Sequence, residues 1–152
     1  VGTNATGFTP SLYNTLESQL CIDTTREFAA GESNGGMQTY QIGVAMAHRL
    51  AAIAPQFGSF HNGFAAAPAR GLPVIDIHGA HDETIPANHS LAADGWYYTT
   101  TKEIFEGGKY STGWKAANGC AGPSYHHPTS FDGVDGLWCI EEGNCTGGAV
   151  VR

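Results

Sequence analysis

Apolar residues along this chain fall into short continuous runs separated by stretches with helical spacing. Residues 72–78, LPVIDIH, form the clearest run, and its length and continuity predict a parallel strand covered on both faces. Residues 27–30 form a second strand, and residues 50–57 a third, interrupted at Pro55. Between the last two, Met37, Tyr40, Gln41, Val44, Ala45 and His48 recur at intervals of three and four, which predicts a helix over about 35–48 lying against a sheet. Leu12, Leu16 and Leu20 predict an earlier helix that starts at residues 9–11, with Ser11 as its cap and the leucines as its buried stripe. A further helix is expected over 90–109, carrying Leu91, Trp96, Ile104 and Phe105. Residues 1–10 read as loop, and residues 58–71 as loop or a short helix. The segment after Tyr110, rich in Gly, Cys, Pro and His, reads as an irregular excursion that leads to a last strand at 149–151. The alternation β-α-β-(α)-β defines an α/β fold class, one half of an open and mostly parallel sheet with right-handed crossovers.

The 152 residues suit one domain, 1–152, with a disulfide-rich tail from about 110. Only 14% of residues are charged, the formal net charge is −7, and no run of Lys or Arg occurs. Neither a nucleic-acid footprint nor a polybasic membrane patch is therefore expected. No apolar stretch is long enough to cross a membrane, and VGTNATG lacks the pattern of a signal peptide, so any such peptide is expected to have been removed. Cys21, Cys120, Cys139 and Cys145, together with N-x-S/T triplets at Asn4, Asn88 and Asn144, predict a secreted, extracellular protein with disulfides and N-glycans. Three pairings of the cysteines stay open. Their spacing does not resemble zinc knuckles, and His126 and His127 are adjacent instead of one helical turn apart.

Residues 31–35 read G-x-S-x-G, directly after a strand and directly before a helix. This is the pattern of a nucleophile elbow, in which a sharp turn lifts the Ser33 hydroxyl above the sheet edge. Gly31 and Gly35 are expected to lack room for a Cβ, and the N–H of Asn34 is expected to face a developing oxyanion. An ester or amide hydrolase is the leading reading. Its acid should sit in a loop just past a parallel strand, and VIDIHGAHDETIP offers Asp82 there, with Glu83 one residue on and Asp76 within the strand as alternatives. The base should follow the acid. His78 and His81 precede Asp82, His89 lies too close to it, and His126 and His127 come before the last strand and read as loop histidines. No residue of the sequence is thus expected to be the base.

The segments DTTREFAAGESNGGM, LPVIDIHGAHDETIP, GWKAANGCAG and CIEEGNCTGGAVVR together resemble the secreted feruloyl esterase and poly(3-hydroxybutyrate) depolymerase-like branch of the α/β-hydrolases, over about 12–152. The resemblance implies a partial α/β-hydrolase fold, with Ser33 at the nucleophile position, Asp82 at the acid and Asn34 lining the oxyanion hole. It implies no metal and no organic cofactor. The implied substrate is a small aromatic ester or a polysaccharide-linked ester such as ferulate on plant cell-wall xylan. A polyhydroxyalkanoate ester is the alternative, as is a non-catalytic binding protein on the same scaffold. Trp96 to Tyr98 read as core, with an acyl-pocket lining as the other reading. Relatives of this branch begin with more strands and carry the base in a Gly-Gly-His loop beyond a segment like GGAVVR, so the chain is expected to be a fragment in which Ser33 is not appreciably activated. An esterase complete at this length would need His126 or His127 to reach Ser33.

Overall fold

The computed structural model describes residues 4–61, 64–87, 92–93, 96–107, 113–127, 136 and 138–152. At its centre β1 (Phe28–Glu32) runs parallel to β2 (Ala52–Gln56), in a register that sets Ala29 opposite Ile53 and Gly31 opposite Pro55. β2 continues parallel to β3 (Val74–Ile75), and β3 to β8 (Val150–Val151). Two antiparallel strands, β7 (Cys139–Glu141) and β6 (Tyr125–His127), complete a sheet of order β1-β2-β3-β8-β7-β6. The architecture is a mostly parallel central sheet flanked by helices, consistent with a partial α/β-hydrolase fold. The last strand stands where its apolar run predicts. β6 and β7 go beyond the expected irregular tail, because three-residue strands are too short to show a period of two.

Pro55 interrupts the sequence pattern but not the strand. Ile53 N–H donates to the Pro73 carbonyl and Phe57 N–H to that of Ile77, so alternate amides of β2 point toward β3, and the donor that Pro55 lacks falls on that side. One ladder bond is missing, while the Pro55 carbonyl still accepts from Ile77 N–H.

The register puts Ala29, Ile53, Val74 and Val150 on one face, all buried. Helix α2 (Asn34–Ala45) covers that face through Gly36, Thr39, Tyr40 and Gly43. Ala45 and His48, expected on the packed side, are exposed, because the helix approaches the sheet through its small residues. A Cβ at Gly43 would come within 2.8 Å of Ile53 Cδ1 and 3.0 Å of the Trp114 ring. Tyr40, Phe60 and Trp114 fill the rest of the core. The Tyr40 ring lies 5.3 Å from that of Phe60 and 5.6 Å, edge-on, from that of Trp114. Burying each such ring contributes ~2–3 kcal/mol. The opposite face is open: Phe28, Ile75 and Ile77 are exposed, so β3 is covered on one face and not on both as its apolar run predicts.

Helix α1 (Ala5–Gln19) starts earlier than expected. Asn4 is its N-cap, with Oδ1 accepting from Gly7 N–H, and Pro10 lies inside it, while the Ser11 hydroxyl donates to the Gly7 carbonyl instead of capping. Leu12, Leu16 and Leu20 are exposed, not a buried stripe. The side that meets the domain is polar. Tyr13 donates its hydroxyl to the Phe28 carbonyl, and Arg49 lies over the Tyr13 ring while bonding Asn14, Glu17 and Glu27.

The helix expected over 90–109 is also corrected. β4 (Ala92–Ala93) pairs antiparallel with β5 (Trp96–Tyr97), and among the described residues of that span only α3 (Thr101–Glu106) is helical. Thr100 with Glu103 forms a capping box at the start of α3. Ile104 and Phe105 are buried as expected. After α4 (Trp114–Ala117), a disulfide joins Cys120 to Cys145, while Cys21 and Cys139 are free thiols.

Candidate active site

Ser33 stands between β1 and α2 with φ 53° and ψ −120°, a left-handed conformation that side chains other than glycine rarely adopt. Its N–H donates to the Gln56 carbonyl at 2.9 Å and its carbonyl accepts from Met37 N–H, so both sides of the strained residue are held by backbone. Ser33 is exposed, and its side chain makes no capping bond. This is the sharp strand-to-helix turn expected from the motif. The first N–H groups of α2, beginning with Asn34, have no acceptor four residues back and lie at the positive end of the helix dipole.

The glycines divide differently from the expectation. A Cβ at Gly31 would stand 2.6 Å from the Gly35 carbonyl oxygen, as expected, but one at Gly35 would meet nothing within 4 Å. The crowded residue is Gly36, where a Cβ would stand 2.5 Å from the Gln56 carbonyl oxygen. The motif directs attention to position 35, whereas the close approach of α2 to the end of β2 falls one residue later.

Because β1, β2 and β3 are parallel, the elbow after β1 and the loop after β3 leave the same edge of the sheet. Two strand spacings separate them, about 10 Å. In that loop Asp82 is half-buried; its N–H donates to the Gly79 carbonyl, and its Oδ1 accepts from Thr84 N–H at 2.8 Å and Ile85 N–H at 2.9 Å. One carboxylate oxygen therefore shapes the turn. Glu83 is exposed, and Asp76 is buried in the core beside Tyr40 and His78.

His126 and His127 lie in β6, not in a loop, and pair with Ile140 and Cys139. β6 is at the far edge of the sheet from β1, five strand spacings or about 24 Å away, and His127 Nε2 is 2.8 Å from a Glu141 carboxylate oxygen. Neither reaches Ser33, which removes the reading of a small esterase with its base on that strand. His78 is turned inward, its Nε2 2.6 Å from the Ile85 carbonyl oxygen. His89 and Asn88 lie outside the described residues, as do the side chains of Trp96 and Tyr97. Tyr98 is half-buried and stacks on His61 with ring centroids 5.2 Å apart. Among the described residues no group of three or more His, Cys, Asp or Glu could hold a metal ion.

Sequence reasoning left two features unread. Phe57 has φ 45°, a second left-handed residue beside the elbow, and nothing in its side chain announces it. His78 is visible in the H-G-x-x-D pattern, but its inward contacts depend on where the loop closes.

A serine on a strained strand-to-helix turn and a carboxylate loop on the same edge of a mostly parallel sheet are consistent with the α/β-hydrolase class. The comparisons agree with that class. The chain is 30% identical over 151 residues to feruloyl esterase B of Piromyces equi, covering 95% of this chain and 26% of that protein. It is 34% identical over 85 residues to a bifunctional acetylxylan esterase/xylanase of Neocallimastix patriciarum, covering 55% of this chain and 12% of that protein. It is 26% identical over 138 residues to the "Probable feruloyl esterase C" of Aspergillus niger, covering 85% of this chain and 48% of that protein. No protein-family model matches the chain. The chain is thus a distant relative of feruloyl and acetylxylan esterases, and it spans half or less of each of these proteins.

Proposed function

We propose that the chain carries the nucleophile and the acid of a serine carboxylic-ester hydrolase. The observation that supports this best is Ser33, exposed and held at positive φ between the end of β1 and the first residue of α2. In the first step Ser33 Oγ attacks the ester carbonyl, and the N–H of Asn34 donates to the oxyanion that forms. The base is a histidine other than the inward-turned His78 and the distant His126 and His127; it takes the Oγ proton, passes it to the leaving alcohol, and later activates the water that releases the acid. Asp82 orients that histidine through Oδ2, since Oδ1 is committed to the turn. No metal or organic cofactor takes part.

Ferulate ester-linked to plant cell-wall polysaccharide is the favoured substrate, because two of the relatives are named feruloyl esterases and the third acts on acetylxylan by its name. The protein is secreted on this reading, with Asn4 and Asn144, both exposed, as glycan acceptors and Asn88 as a third. A polyhydroxyalkanoate ester would use the same machinery, and a non-catalytic ester- or glycan-binding protein would keep the fold without turnover. The native protein is expected to hydrolyse methyl ferulate faster than short hydroxybutyrate oligomers, and Ser33→Ala to abolish both activities. Turnover that survives Ser33→Ala would refute the mechanism, and the reverse preference would refute the substrate.

A further inference from the structure

Beneath the loop that carries Asp82 lies a buried group that the proposed chemistry does not use. Asp76 is 4% exposed, and neither of its carboxylate oxygens makes a hydrogen bond among the described residues. The fully buried Tyr40 hydroxyl faces it from α2. A carboxylate withdrawn from water in this way is stabilised by an opposite charge nearby. The group in position to supply one is His78, two residues on, whose Nδ1 is 3.7 Å from Asp76 Oδ2 and whose side chain is 6% exposed.

The other ring nitrogen fixes the proton count. His78 Nε2 is 2.6 Å from the Ile85 carbonyl oxygen, and a carbonyl only accepts, so Nε2 carries a proton. In a neutral ring Nδ1 would then be a bare lone pair turned toward a carboxylate, with no proton between them. An imidazolium turns that repulsion into an ion pair and keeps the Ile85 bond.

Ile85 is gripped from both sides. Its carbonyl accepts from His78, and its N–H donates to Asp82 Oδ1 at 2.9 Å. Asp82 is therefore indexed to the buried Asp76 through one backbone residue. We propose that His78, as an imidazolium paired with Asp76, is a positioning residue that closes the base of the acid loop and fixes the direction of the Asp82 carboxylate. The positioning role rests on the serine-esterase reading; the charged clamp itself does not.

The charges around the ring agree. Burial works to lower the affinity of His78 for its second proton, but the nearness of the Asp76 carboxylate, the bond to the Ile85 carbonyl and the charge of Asp82 outweigh it and raise His78 above the ordinary histidine value. The clamp is accordingly complete at acidic pH and opens as pH rises through that raised value.

The test is a ring-nitrogen NMR titration of the folded native protein, together with amide exchange at Ile85. His78 is expected to titrate above the ordinary histidine value, and Ile85 exchange, corrected for its intrinsic pH dependence, to quicken at least about tenfold across the His78 transition. Asp76→Asn should lower the His78 midpoint to the ordinary value or below. If that variant does not fold, the wild-type titration and exchange decide alone. A His78 that titrates at or below the ordinary histidine value, or an Ile85 amide indifferent to the His78 transition, overturns the proposal. Because no substrate is used, that failure is separate from failure of the esterase reading, which is judged on Ser33.

Discussion

Gly36 and Gly58 meet backbone to backbone at the end of β2. A Cβ on Gly36 would stand 3.0 Å from Gly58 Cα, and one on Gly58 would stand 2.4 Å from Gly36 C. The contact sets the height of the α2 N-terminus above the sheet, and so the position of Ser33 and Asn34. Gly36→Ala and Gly58→Ala are expected to cost about 1–3 kcal/mol each. Gly35→Ala, with open space and a helical position, should be neutral or stabilising by up to about 1 kcal/mol. Denaturant unfolding of the three variants checks the contrast, and equal effects at 35 and 36 would contradict it.

The positive φ of Ser33 carries a second expectation. Glycine adopts that conformation without steric cost, so Ser33→Gly should raise stability by about 1 kcal/mol while removing the proposed nucleophile. A stability gain measured beside a complete loss of ester hydrolysis would show strain retained for chemistry. A destabilised Ser33→Gly would show that the serine side chain is needed for the turn.

Arg49 ties α1 to the sheet through Glu17 and the buried Glu27. The guanidinium holds Glu27 below the usual carboxylate range, outweighing its burial. A depressed folded value contributes stability above the unfolded value of about 4.3, and this is lost as pH falls through the folded value. Arg49→Met leaves a buried carboxylate without its partner and should cost about 3 kcal/mol at pH 7. The deficit should shrink near pH 4, where Glu27 in the variant takes up a proton. Thermal melts of both proteins across pH 3.5–7 test this, and a deficit independent of pH would contradict it.

The disulfide joins Cys120 to Cys145 across a separation of 25 residues. Closing a loop of that length contributes about 3.5 kcal/mol by restricting the unfolded chain. Reduction should destabilise by that order, and peptide mapping should find Cys21 and Cys139 alkylated without reduction. A bridge that includes either of them would contradict the pairing.

What was legible in the sequence follows from the range of the forces involved. The parallel strands and the elbow are local: a continuous apolar run, a period of three and four, and a Gly-x-Ser-x-Gly turn specify them within ten or so residues. Failures occur where a partner decides. Leu12, Leu16 and Leu20 have the spacing of a buried stripe, yet α1 meets the domain through Tyr13 and Arg49. Ile75 and Ile77 read as doubly covered, yet only the Val74 side of β3 is packed. At the site, Ser33 and Asp82 announce themselves by motif. The roles of Gly36, Phe57 and His78 depend on contacts with β2 and with Ile85, which spacing does not reveal.

The most direct test of the central claim is peptide-resolved mass spectrometry of the native protein after exposure to a fluorophosphonate, with Asp82→Asn alongside. A single adduct on Ser33, formed on the order of ten-thousand-fold more slowly in Asp82→Asn, is expected. Labelling at another residue, or an adduct on Ser33 that forms at the same rate without the Asp82 carboxylate, would contradict it.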